Sequence, residues 1–115
     1  MKVHQVINSY DKKMGGAENI ALIIHKHLIK KKINSSCFGL LKCDEIIEGC
    51  ESASLKSPYS IKAFLAIKEY FNKNVKENDI VHVHLFPSIF YCSILKFFGA
   101  TKSTLICTEH STYNR

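Results

Sequence analysis

The segment Asp79-Ile80-Val81-His82-Val83-His84-Leu85 carries apolar side chains on both of its alternations. A strand with one face in water alternates apolar with polar, so this pattern suits a central parallel strand covered on both faces. Parallel strands need crossover connections, usually helical, and the remainder of the chain reads as a series of them. Val3 to Ile7 is short, rich in β-branched residues and followed by Asn8-Ser9-Tyr10-Asp11, which marks a first strand leaving into a loop. Ala17, Ile20, Ala21, Ile24 and Leu28 recur at helical spacing, with Glu18 at the positive end of that helix and Lys30-Lys31-Lys32 at its negative end.

Ile33-Asn34 reads as the turn out of this helix, and Ser35 to Leu41 as the second strand. Asp44 to Ser60 is the least patterned stretch, with one short strand expected around Ile46-Ile47. Ser57-Pro58 opens a further helix whose apolar stripe is Ile61, Phe64, Leu65 and Phe71, and Asn72 to Asn78 is its polar exit. After the central strand, Pro87 suits a first helical position. The helix to Phe98 is apolar almost all round and closes at Gly99, as a buried crossover helix would. Thr104 to Thr108 forms the last strand. Strands alternating with helices define an α/β chain with a parallel sheet and right-handed crossovers.

At 115 residues with 46% hydrophobic and 23% charged residues, the chain has the composition of about one globular domain. A formal charge of +6 favours anionic partners without choosing among phosphates, acidic lipid headgroups and nucleic acid. The five cysteines, Cys37, Cys43, Cys50, Cys92 and Cys107, include no C-x-x-C pair and follow no secretory signal, so reduced cytosolic thiols are expected. No apolar run reaches the roughly 20 residues that span a bilayer, since Ser88, Ser93 and Lys96 interrupt the longest candidate.

Ligands of open parallel sheets collect beyond the carboxyl ends of the strands. That rule brings Asn8 to Gly16, His84 to Ser88 and Glu109 to Thr112 to one rim. Within the first stretch, Met14-Gly15-Gly16-Ala17-Glu18 lies between a strand and a helix, where glycines let an anion approach the backbone and the helix start presents free N–H groups. The full G-x-G-x-x-G and the P-loop Gly-Lys-Ser/Thr are both missing, so an ordinary tight turn also satisfies the pattern.

His82 and His84 project to one face of their strand and raise the possibility of a metal pair. Cys107 and His110, in extended chain, stand roughly 10 Å apart on opposite faces and do not complete one site. His82 is therefore expected as a hydrogen-bonded histidine under a helix, His84 nearer the rim, and His25 and His27 as decoration of the first helix. No serine or cysteine has a nucleophile context such as G-x-S-x-G. Lys26, Lys30, Lys31 and Lys32 suit either an anionic membrane surface or a solvated helix end favoured by the dipole.

Val6-Ile7-Asn8, Gly15-Gly16-Ala17-Glu18, Asp79-Ile80-Val81-His82-Val83-His84 and Thr108-Glu109-His110-Ser111, in that order and spacing, resemble the N-terminal half of retaining glycosyltransferases of family four. The resemblance spans nearly the whole chain. It implies a Rossmann-like parallel sheet with helices on both faces, the incomplete acceptor-side first domain of a two-domain GT-B enzyme whose donor domain is absent from residues 1–115. It implies transfer of a sugar from a nucleotide-diphosphate sugar to a glycan or lipid-linked acceptor with retained configuration, usually without a bound metal or other cofactor. The resemblance places the backbone of Gly15 and Gly16 near the donor's diphosphate and His110 near the transferred sugar as the catalytic candidate. Glu18, His84, Glu109 and Ser111, in the same motifs, are the further donor-side candidates. A cytoplasmic polysaccharide-biosynthesis enzyme is expected, in peripheral contact with the inner face of the membrane, and the fragment alone is expected to be inactive.

A second reading is a flavodoxin-like binding or interaction module without chemistry. A third, a phosphate-directed nucleic-acid binder, lacks aromatic platforms interleaved with its basic residues.

Overall fold

The computed structural model describes residues 1–10, 16–43, 46–84, 87–99 and 102–108, with the side chains of residues 16–18 outside the description. The elements run β1 (Val3–Ile7), α1 (Gly16–Lys30), β2 (Ser35–Leu41), β3 (Cys50–Leu55), α2 (Ile61–Asn74), β4 (Ile80–His84), α3 (Ser88–Phe97) and β5 (Thr104–Thr108). The five strands form one sheet in the order β3-β2-β1-β4-β5, with every neighbouring pair parallel. This is a Rossmann-like α/β fold with helices on both faces, as the alternation of strands and helices predicts.

Alternate residues of the central strands feed two cores. Val6, Phe38, Leu40, Val81 and Val83 pack against Ala63, Ile67, Tyr70 and Phe71 of α2 and against Cys92 and Leu95 of α3. On the other face, Ile7 and Cys37 pack with Tyr10 and with Ala21 and Leu22 of α1. Burying one such aliphatic or aromatic side chain stabilises the fold by ~1.5–3 kcal/mol, so these two layers fix the sheet between its helices.

A buried polar network closes the amino edge of the sheet. His4 Nε2 lies 2.9 Å from Asp79 Oδ2, and His4 Nδ1 lies 2.7 Å from the Tyr70 hydroxyl and 3.0 Å from Ser36 Oγ. Asp79 also accepts the backbone N–H of Lys2 and of Lys76, each at 3.0 Å. Four elements, β1, β2, α2 and the start of β4, are thus joined through the buried His4, Tyr70 and Asp79 and the half-buried Ser36.

Several sequence expectations are corrected. The third strand is Cys50–Leu55, not the Ile46-Ile47 pair, and Ile46 is wholly exposed. β3 is an edge strand of small residues with Glu51 and Ser54 outward, so it carries no apolar alternation, while Ile47 packs under α1 from the connecting segment. The second helix begins at Ile61 because the Ser60 side chain accepts from the Ala63 N–H at 3.2 Å, two residues beyond Pro58. Its buried stripe is Ala63, Ile67, Tyr70 and Phe71, whereas Ile61 and Leu65 face outward.

Among the described side chains of α1 the buried ones are Ala21, Leu22 and His25, and Ile20 and Ile23 are exposed. His25 is therefore not decoration: its Nδ1 lies 2.7 Å from Ser35 Oγ and its Nε2–H donates to the Glu48 carbonyl at 2.8 Å. His27 is exposed as expected. α3, read as a helix buried all round, buries Ser88, Cys92 and Leu95 and leaves Phe90 and Phe97 in solvent. Pro87 occupies the position before its first residue, and Gly99 ends it at φ +74°.

Candidate functional site at the carboxyl edge of the sheet

β1 and β4 are adjacent, yet the chain leaves β1 into α1 on one face and leaves β4 into α3 on the other. The carboxyl ends of these two strands are therefore the switch point at which an open α/β sheet forms a crevice. From β1 the chain passes through Asn8, Ser9 and Tyr10, and α1 then starts at Gly16. From β4 it passes into Pro87 and Ser88, both without solvent exposure.

The two exits are tied to each other and to β2. Ser88 Oγ donates to Asn8 Oδ1 at 3.1 Å, and the Asn8 carbonyl accepts from the Leu41 N–H at 2.8 Å. Asn8 thus holds the first turn of α3 with its side chain and the end of β2 with its backbone. Tyr10 folds back into the core against Gly39, where an added Cβ would come within 3.0 Å of Tyr10 Cδ2. Burial pushes the Tyr10 hydroxyl up to about 12, with the nearby thiols of Cys43, Cys50 and Cys37 and the Glu51 carboxylate adding to it, so Tyr10 is a neutral wedge at the base of the loop.

His84 ends β4 with no solvent exposure, and its Nε2 lies 2.7 Å from Gln5 Oε1. His82 Nε2 lies 2.7 Å from Thr108 Oγ1, and the two imidazoles share one face of the sheet with centroids 4.0 Å apart. Their facing agrees with the sequence reading, and His82 is hydrogen-bonded as expected, though to a neighbouring strand. The Gln5 amide Nε2 on this face is buried without a hydrogen-bond partner among the described residues. Among the described residues no group of three or more histidine, cysteine or acidic side chains is placed to hold a metal ion.

Of the candidate residues, Gly16 opens α1, so its backbone stands at the switch point, and Glu18 lies in the first turn with its side chain outside the description. Gly15, Glu109, His110 and Ser111 lie outside the described residues. Thr108, which precedes Glu109, is the Cα partner of His84, so β4 and β5 end side by side on the same edge. Sequence reasoning missed the Asn8 to Ser88 bond and the Tyr10 wedge. The signal for the first was present in two polar residues immediately after strand exits, whereas the second depends on Gly39, which has no pattern to read.

Beside Pro87 an apolar groove of about 470 Å³ runs between α2 and α3, lined by Tyr59, Ile61, Phe64, Phe90, Tyr91 and Ile94. The outward Ile61 and Phe90 that departed from the expected stripes are in its wall. Lys26, Lys30, Lys31 and Lys32 are exposed on and just after α1, and the turn that follows them feeds the amino end of β2. They stand at the opposite edge from the crevice. Among the described residues no helix is long and apolar enough to cross a membrane.

The fold and the switch-point crevice define the class as a Rossmann-like parallel α/β protein. No protein-family model, no curated protein and no solved structure matches the chain.

Proposed function

We propose that the chain is the N-terminal, acceptor-side part of a retaining glycosyltransferase that moves a sugar from a nucleotide-diphosphate sugar to a glycan or lipid-linked acceptor. The observation that carries this reading is the start of α1 at Gly16, beside the β1 and β4 exits that Ser88 and Asn8 join. Diphosphate leaving from a glycosidic carbon gains negative charge as the bond breaks. Free N–H groups at a preorganised helix start stabilise that charge more in the transition state than in the ground state. In this reading Gly15 and Gly16 admit the diphosphate, His110 contacts the transferred sugar, and a donor domain outside these residues supplies the other wall of the cleft.

The groove next to Pro87 supports an acceptor with an apolar portion, because its wall is mostly aromatic and aliphatic and holds no charged side chain. A cytoplasmic enzyme touching the inner membrane face fits such an acceptor. The basic run around Lys30 lies at the far edge, so membrane contact in this reading falls to the exposed Phe90, Phe97 and Phe98 on and after α3.

The test is a panel of radiolabelled nucleotide sugars offered to the protein in which this domain is joined to its donor domain, with the product's anomeric configuration determined. Transfer with retention from one donor is the expected result. The 115-residue chain alone is expected to bind donor weakly and transfer nothing, since positioning requires both walls. Micromolar donor affinity or any transfer by the isolated chain would overturn the half-enzyme reading.

A further inference from the structure

The face of the sheet beneath α1 carries a second set of reactive groups, near the amino end of β2 and away from the crevice. Cys37 and Cys50 are register partners on the adjacent parallel strands β2 and β3, and the Cys37 N–H donates to the Gly49 carbonyl at 2.8 Å. Adjacent strands lie ~4.8 Å apart, within the ~4.4–6.8 Å between Cα atoms that a disulfide bridges. Both side chains enter the cluster under α1.

His25 stands over this pair. It is held by Ser35 Oγ and the Glu48 carbonyl, and Gly49 is a glycine at φ +77° whose added Cβ would come within 2.9 Å of His25 Cε1. His25 is also within hydrogen-bonding reach of Cys50, with the Lys26 ammonium close enough to act on the thiol. The hydrogen bond from Cys37, then the bond and charge of His25 and the charge of Lys26, hold the Cys50 thiol below its ordinary range against the effect of burial. The contact with Cys50 and burial push Cys37 up, so Cys50 carries the thiolate and Cys37 the proton. Access has the same polarity: Cys37 is buried and Cys50 is half-buried.

We propose that Cys50 and Cys37 are a dithiol–disulfide pair oxidised by small hydroperoxides, with Cys50 oxidised first and Cys37 resolving. The Cys50 thiolate attacks the terminal peroxide oxygen, an S–O bond forms and the O–O bond breaks. The departing alkoxide or hydroxide takes a proton from the His25 imidazolium and leaves as alcohol or water. Cys50 is then a sulfenic acid, oxidised by two electrons at the expense of the peroxide. The Cys37 sulfur attacks Cys50, the S–S bond forms, and the sulfenic hydroxyl leaves with the Cys37 proton as water.

The experiment uses the reduced 115-residue chain and hydrogen peroxide. Without peroxide, iodoacetamide at neutral pH should alkylate Cys50 about tenfold faster than the more exposed Cys107, with a rate for Cys50 that is already near its plateau. After stoichiometric peroxide, trypsin should release the peptide carrying Cys37 linked to the peptide carrying Cys50, because Lys42 separates them. Fragmentation must place the link at Cys50 and not at Cys43. In Cys37→Ser the sulfenic acid should persist at Cys50 and be captured by dimedone, and His25→Gln should slow alkylation of Cys50 about tenfold while circular dichroism reports an intact fold. The pH profile and the linked peptides require no variant. Equal alkylation of Cys50 and Cys107, or peroxide that leaves Cys37 and Cys50 unlinked or joins Cys50 to Cys43, overturns the proposal.

Discussion

Ser88 Oγ donates to Asn8 Oδ1 at 3.1 Å, so the first turn of α3 is fastened to the exit of β1 across the boundary between the two faces of the sheet. The two residues are remote in sequence and meet only because β1 and β4 are neighbours in the sheet. Ser88→Ala should remove this link at little steric cost. A net loss of about 1 kcal/mol is expected, equivalent to a fall of about 4–8 °C in Tm for a domain near this size, read by thermal circular dichroism. If the crevice binds the donor, the same variant of the joined enzyme should raise KM for the nucleotide sugar, because the β1 exit that leads to Gly16 is no longer anchored.

If the proposed function holds, His110→Ala in the joined enzyme should lower kcat at least about tenfold with Tm unchanged, the effect of losing one hydrogen bond of ~1–3 kcal/mol to a reacting sugar. Unchanged kinetics with a lowered Tm would make His110 a structural histidine and remove it from the site.

Gly49 and Gly99 separate backbone strain from steric conflict. Both have positive φ, +77° and +74°, but an added Cβ at Gly99 meets nothing within 4 Å while at Gly49 it meets the His25 ring at 2.9 Å. The ring is fixed by Ser35 and Glu48 and cannot swing away without losing two hydrogen bonds. Alanine at either position carries the left-handed cost of roughly 1–2 kcal/mol. Gly49→Ala should cost at least about 1 kcal/mol more than Gly99→Ala, from the clash or from the broken bonds to His25, as urea unfolding would measure.

The strands of this sheet were legible wherever both of their faces are covered. Val3–Ile7 and the core of Asp79–Leu85 show their burial in their β-branched residues, whereas Ser35–Leu41, which has none, is placed by its position after the first helix and its turn. β3 was not legible, because an edge strand of cysteine, serine, alanine and glutamate has its place fixed by pairing with β2 and not by its own pattern. The helical stripes were misread where two apolar faces overlap: Ile61 lines the groove beside α2, Leu65 faces solvent, and Ala63 and Tyr70 make the core contact. For the site, the rim position of Gly16 was readable from a strand followed by a helix. The burial of His25 was not, since its partners Ser35 and Glu48 lie beyond the helix and carry no local signal.

His4 and His25 respond to pH in opposite directions. Burial of His4 lowers its affinity for a proton, outweighing the bond and charge of Asp79, so the unfolded chain, at about 6.5, takes up that proton before the folded one does. A neutral imidazole fits its partners, with Nε2–H donated to Asp79 and Nδ1 accepting from the hydroxyls of Tyr70 or Ser36. Stability should therefore fall as pH drops below about 6.5. Asp79 adds a further loss at lower pH: burial opposes its charge, but the bonds from His4 and from the Lys76 and Lys2 N–H groups hold its carboxyl below 3.8, and protonating it gives them up. His25 is raised, by its contact with Cys50 against the effect of burial and then by the Glu48 carbonyl, so its contribution is full below about 6.5 and is lost as pH rises through its higher folded value. The Cys50 thiol, held at about 6, opposes the loss from His25, because the folded chain gives up that proton before the unfolded one and the gain builds as pH rises toward 9. Urea unfolding across about pH 5 to 8 should show His4→Gln flattening the acid limb. An acid limb that persists in His4→Gln would mean that the network at the amino edge tolerates a charged imidazole and that another group sets the acid sensitivity.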